Sequence, residues 1–190
     1  NKKGQMQDGL QYIVKDHGFF YFDENGYQKT GKVSSVECED DNYTFYFTTK
    51  NGKNGIGYTG EKDGTLYFNG KRLEADDDYR LYYLNGDIYL VNNKGKIQSS
   101  KSDNKKFDIE NRGIAEEDVN VTFTGKKVKE VKVEGQPVMT ATQLVDLAEA
   151  NITAEVDPSE DATVSVPFIQ LYDDDQFTYK NVGGTIIEDW

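Results

Sequence analysis

Short runs of apolar and aromatic residues recur along the first half of the chain, each closed by a glycine turn. The runs are Phe19 to Phe22 (FFYF), Thr44 to Phe47 (TFYF), Thr65 to Phe68 (TLYF) and Asp87 to Leu90 (DIYL). Their third residues are Tyr21, Tyr46, Tyr67 and Tyr89, spaced by 25, 21 and 22 residues. The glycine turns that follow are Asn25-Gly26, Asn51-Gly52, Asn69-Gly70 and Lys94-Gly95. A run of four ending in Asn-Gly predicts the first strand of a β-hairpin, because both central residues of the tightest hairpin turns need positive φ. Strand side chains alternate between faces. Positions two and four of each run are apolar, so they predict a buried stripe, with the repeated tyrosine on the other face. One hairpin is marginal in water, and stacking successive hairpins would bury the stripe.

A second signature precedes and follows the first run. Gly4-x-Met6-Gln7-Asp8-Gly9-Leu10 recurs 22 residues later as Gly26-x-Gln28-Lys29-Thr30-Gly31-Lys32. Together with Phe19 to Gly31 this pattern resembles the cell-wall-binding or choline-binding repeat family, which includes glucan-binding and clostridial toxin repeats. The likeness is closest over residues 4 to 33, partial from 43 to 98 and absent beyond about 105.

The resemblance implies a β-hairpin solenoid, and in choline-binding members a cage of aromatic rings that holds a quaternary ammonium by cation–π attraction. The chain departs from that cage. The family's leading Trp falls on Phe19, Thr44, Thr65 and Asp87, and the Trp after its Thr-Gly pair falls on Leu10 and Lys32. Phe19, Tyr21, Tyr46 and Tyr67 are therefore the expected ligand-facing row, suited to sugar rings more than to choline. The alternative is that the tyrosines only cover the surface of a structural repeat.

The second half reads differently. Gln98 to Lys106 has linker composition. Val119 to Phe123 and Val128 to Val133 predict two strands joined at Gly125-Lys126. Thr140 to Asn151 predicts a helix capped by Thr140 or Thr142, with Leu144, Val145, Leu147 and Ala148 on its apolar face. Thr163 to Tyr172 and Phe177 to Ile187 predict further strands. The expected fold is mainly β: a hairpin-repeat solenoid over residues 1 to 105 and a smaller α+β region over 106 to 190 that could cap it.

Composition narrows the function. Of 190 residues, 23 are Tyr or Phe and 18 are Gly, which suits strands and tight turns. The net charge of −12 makes nucleic acid a poor partner. No apolar run approaches the roughly 20 residues of a membrane span. Cys38 is the sole cysteine, so no intrachain disulfide can form. Its neighbours Glu37, Glu39, Asp40 and Asp41 make an acidic setting, unfavourable for a thiolate nucleophile. His17, the one histidine, lies in a turn before a strand and belongs to no catalytic motif. Three acidic clusters, Asp76 to Asp78, Glu116 to Asp118 and Asp173 to Asp175, lack calcium-loop spacing and read as solvated loops.

No catalytic residue, metal site or cofactor is expected. The expected role is a non-catalytic module that binds a cell-wall polymer or glycan on the surface of a Gram-positive bacterium, or is secreted, without inserting into a membrane. Its rivals are a spacer or protein-binding, adhesin-like segment and, least, an enzyme acting on glycans through paired carboxylates.

Overall fold

The computed structural model describes residues 6–38, 41–49, 55–75, 79–99, 119–133, 137–146 and 185–187. The protein is mainly β. Its chain divides into two compact units, Asn1–Leu73 with Asp175–Trp190, and Glu74–Asp174.

The first unit holds two sheets. β1 (Gly9–Ile13) and β2 (Gly18–Phe22) are antiparallel, joined by a 3-10 turn at Val14–Asp16, and β2 turns back into β3 (Gln28–Lys29). β14 (Thr185–Ile187) pairs in parallel with the free side of β1. The second sheet contains β4 (Gly31–Cys38), β5 (Asp41–Phe47), β6 (Gly60–Lys62), β7 (Thr65–Phe68) and β8 (Lys71–Arg72), in the order β4-β5-β8-β7-β6.

All four runs are strands or parts of strands, and positions two and four are buried in each: Phe20 and Phe22, Phe45 and Phe47, Leu66 and Phe68, Ile88 and Leu90. The other face is also covered in places. Phe19 joins Leu10, Val36, Cys38, Phe45 and Phe47 in one core cluster, while Phe20, Phe22 and Ile13 form another with Ile56 against it.

Turn chemistry follows the dipeptides. Asn69 (φ 48°) and Gly70 (φ 93°) link β7 to β8. Asp63 (φ 51°) and Gly64 (φ 74°) link β6 to β7 in the same way. Asn25-Gly26 is different. There the Asp23 carboxylate accepts the amides of Asn25 (3.0 Å) and Tyr27 (2.9 Å), and Asp23 and Tyr27 close the loop through their backbone at 2.9 Å.

Lys29 pairs with Asp23 at 2.8 Å. This ammonium, then the Tyr27 and Asn25 amides, hold the Asp23 carboxyl below the usual aspartate value of 3.8. A depressed carboxyl favours folding above its unfolded value and loses that contribution as pH falls through its lower folded value. Carbon-detected NMR titration should accordingly place the Asp23 midpoint below 3.8. Protection of the Tyr27 amide, taken relative to its intrinsic exchange rate at each pH, should be lost only under more acidic conditions than that. A midpoint at or above the ordinary value would contradict this loop.

The second unit contains β9 (Tyr79–Leu84) and β10 (Asp87–Asn92), paired through Asn85 (φ 52°) and Gly86 (φ 81°). It also holds β11 (Val119–Thr124), β12 (Lys127–Val133) and β13 (Met139–Thr140) in one antiparallel sheet. The predicted helix is present over residues 141–146 as α1, and residues 147–151 lie outside the described residues. Thr140 caps it reciprocally. Its hydroxyl accepts the Gln143 amide at 3.3 Å, and the Gln143 side chain accepts the Thr140 amide at 2.9 Å.

The division expected near residue 105 is corrected by this packing. Leu81, Ile88 and Leu90 of the fourth hairpin share a core with Val128, Val131 and Leu144. Lys127 and Asp87 add an ion pair at 2.6 Å. The boundary falls after Leu73 because the fourth hairpin buries its stripe against the later strands and α1.

The predicted strand 163–172, the turn Asn51-Gly52 and all three acidic clusters lie outside the described residues, as does most of the 98–106 stretch and of the strand 177–187. Among the described residues, no helix is long and apolar enough to cross a membrane.

Candidate functional site: a tyrosine patch

Tyr46 and Tyr67 come from successive aromatic runs, and the strand order β5-β8-β7 brings them to one face. Their ring centroids are 5.7 Å apart. Tyr58 completes the group, 5.9 Å from Tyr46 and 6.5 Å from Tyr67. The rings meet tilted or edge to face, the arrangement their quadrupoles favour.

The backbone fixes this patch. The Gly57 amide donates to Phe19 O at 2.7 Å, Tyr58 N to Tyr46 O at 3.0 Å, Gly70 N to Tyr58 O at 2.9 Å and Tyr46 N to Gly70 O at 2.8 Å. The Thr59 hydroxyl accepts the Asn69 amide at 2.9 Å. The segment carrying Tyr58 is thereby locked between β5 and the β7–β8 turn. The Tyr58 hydroxyl donates to the Glu61 carbonyl at 3.1 Å, which sets its ring.

The expected row divides. Tyr46 is half-buried in the patch, and Tyr67 is only 5% exposed. Burial pushes the Tyr67 phenol above its ordinary value, partly offset by the positive charge of Arg72. Tyr21 is half-buried but lies elsewhere, stacked on Phe47 at 6.3 Å. Phe19 is fully buried at 0% exposure, edge to face with Tyr12 at 5.0 Å, so as a ligand-facing residue it is corrected to a core residue. It is buried because β2 is covered on both faces.

Tyr58 escaped the repeat reading because it lies outside the four runs. Its signal is the Thr59-Gly60 pair beside it, a counterpart of Thr30-Gly31.

Lysines of the protein itself approach the tyrosine faces. Lys62 Nζ sits 4.9 Å from the Tyr46 ring centre and Lys71 Nζ 3.8 Å from that of Tyr43. The Lys62 ammonium is held above its usual value, first by Tyr46 and then by Asp63.

His17 is exposed, with left-handed backbone (φ 50°) ending the 3-10 turn. Cys38 is buried in the core. The buried polar side chains among the described residues are Gln11, Thr44 and Thr65, with no carboxylate among them. No group of three or more His, Cys, Asp or Glu side chains among the described residues is placed to hold a metal ion.

No protein-family model matches the chain, and neither a curated protein nor a solved structure matches it.

Proposed function

We propose that the chain carries degenerate cell-wall-binding-type repeats and serves, without catalysis, to attach to a wall polymer or glycan at a Gram-positive bacterial surface. The observation that carries this reading is the convergence of Tyr46 and Tyr67, equivalent positions of successive repeats, with Tyr58. Tyr46 and Tyr58 keep part of their rings exposed, and a sugar ring can lie its C–H face on them. Binding through such a shallow patch is weak singly and gains strength when several modules act together.

Relatedness of the hairpins has its own support. The Asp23 loop is repeated at Asn92, whose side-chain oxygen accepts the amides of Lys94 (3.0 Å) and Lys96 (2.9 Å), with Asn92 N to Lys96 O at 3.0 Å. One loop geometry 69 residues apart, on two different units, is what a repeated element would leave. A solenoid stacking of the hairpins that precede Leu73 is part of the proposal. Choline is the poorer ligand, since Lys62 and Lys71 already bring ammonium groups to tyrosine faces.

Retention of the full chain on isolated Gram-positive cell walls tests the reading. Tyr46→Ala and Tyr58→Ala should each lower retention at least about fivefold, the loss expected of a contact aromatic, and soluble glucan should compete better than choline. Retention untouched by both substitutions would overturn it.

A structural or protein-binding module is the second reading, favoured by the 5% exposure of Tyr67 and the mutual contacts of the three rings. On that reading Tyr46→Ala lowers the melting temperature while wall retention is absent or unchanged.

A further inference from the structure

The tyrosine face of the five-stranded sheet also carries a set of cations. Lys32 on β4 lies directly opposite Tyr46 on β5. Arg72 on β8 lies directly opposite Tyr67 on β7. Directly opposed residues of an antiparallel pair share a face, so both point the way the tyrosines do. Lys62 reaches the same face over the Tyr46 ring. Strands are spaced by about 4.8 Å and rise about 3.4 Å per residue, and Arg72 is level with Thr44, two residues along from Tyr46, so Lys32 and Arg72 flank Tyr46 diagonally across roughly 12 Å. Lys32 is exposed, and Lys62 and Arg72 are partly so.

The overall charge of the chain conceals this. Residues 1–73 carry 10 Lys or Arg against 10 Asp or Glu, leaving 12 and 24 of the totals of 22 and 34 for residues 74–190. The whole excess of negative charge therefore belongs to the later residues, and the stretch that bears the tyrosines is neutral. Among the described residues, carboxylates near the strip include Asp63, 88% exposed and 3.8 Å from Lys62, Glu61 beside it, and Glu37, opposite Asn42 beyond the irregularity in β4. An exposed pair at that distance is loosely held and leaves Lys62 able to meet another anion.

Resting on the glycan reading above, we infer that this face takes an anionic polysaccharide, with sugar rings on Tyr46 and Tyr58 and acid groups on Lys32, Lys62 and Arg72. Rings alone would suit a neutral glycan, and cations alone would suit any polyanion. Their interleaving on one sheet face suits a chain that offers both. A quaternary ammonium, which rings alone would attract, is repelled by these cations.

Binding of the full chain to three polymers of matched length decides the matter, by affinity electrophoresis and calorimetry with polygalacturonate, dextran and linear polyphosphate. Polygalacturonate should bind most tightly, and its binding should weaken as salt is raised through the range where exposed charges are screened. Lys32→Gln and Arg72→Gln should each weaken it about fivefold, the value of one exposed charge contact near 4 Å in water. Lys15→Gln, an exposed lysine on the 3-10 turn, should leave it unchanged. Far-UV circular dichroism confirms that each variant is folded.

Dextran binding equal to polygalacturonate would overturn the inference while leaving the glycan reading intact. Polyphosphate binding equal to polygalacturonate would overturn it in favour of charge alone. If cell walls retain the protein through Tyr46 but polygalacturonate does not bind, the anionic inference fails by itself. If neither Tyr46→Ala nor Tyr58→Ala lowers wall retention, the glycan reading fails first.

Discussion

Replacing Phe45 with alanine is expected to remove about 3–5 kcal/mol of folding stability. Phe45 has no exposed surface and stacks on Phe47 at 5.8 Å and 10°. Its cluster draws Leu10 from β1, Phe19 from β2 and Val36 and Cys38 from β4. Truncation would therefore leave a cavity lined by two sheets, which cannot collapse without moving both. A domain is stable by only about 5–15 kcal/mol in all, so the variant should be largely unfolded or melt far below the parent. Urea denaturation monitored by near-UV circular dichroism measures the loss. Phe45→Leu, which keeps most of the volume, should cost about 1.5 kcal/mol or less, and Tyr27→Ala, at a side chain 71% exposed, should stay within about 0.5 kcal/mol. A Phe45→Ala loss no larger than that of Tyr27→Ala would show that the core lies elsewhere.

Gly57→Ala is the second large effect, and it acts through backbone. A Cβ at Gly57 would overlap the Asn69 carbonyl oxygen and lie 2.6 Å from its carbon and 2.9 Å from the Gly70 nitrogen. These atoms belong to the β7–β8 turn, which cannot rotate away as a side chain can. Making room means lengthening the bonds from Gly57 N to Phe19 O and from Gly70 N to Tyr58 O. Overpacking of this kind, with backbone hydrogen bonds strained, should cost on the order of 3 kcal/mol. Gly18→Ala is the informative contrast: its Cβ would meet side-chain atoms of Ile56 rather than backbone, and a side chain can shift where a hydrogen-bonded turn cannot. Thermal melts of the two variants should separate clearly, with Gly57→Ala the lower. Because Gly57 precedes Tyr58, the proposed wall attachment requires that the same substitution also reduce wall retention. Equal melting temperatures would mean that the turn and the Tyr58 segment are not in contact.

The hairpins were legible because their causes are local. Asn69-Gly70 and Asn85-Gly86 adopt the double positive φ their side chains tolerate, whatever surrounds them. Asp63-Gly64 obeys the same rule without belonging to the repeat. At Asn25-Gly26 only the glycine has positive φ, because the Asp23 carboxylate organises a longer loop. That difference arises from a side chain two residues upstream of the dipeptide.

The fourth run shows where a sequence alignment slips. Matching tyrosines sets Tyr89 beside Tyr21. Matching the loops sets Asn92 beside Asp23, and then Leu90 takes the place of Tyr21. Burial alone does not choose between them, because Phe19 with Tyr21 and Phe20 with Phe22 each pack in a cluster, on opposite faces of β2. With a side-chain period of two, one residue of slip exchanges the faces of a strand.

The sequence by itself determined the strands that carry the four runs, several of the turns, the burial of positions two and four in each run and a threonine cap for the helix, since each depends on neighbours within a few residues. Tertiary structure alone decided that Phe19 and Tyr67 are covered, that Tyr58 joins Tyr46, and that the fourth hairpin packs with the later strands. An apolar stripe specifies that it must be buried but not against which partner. The choice among several equally apolar faces is made by chain connectivity and shape, and these become definite only when the whole chain has folded.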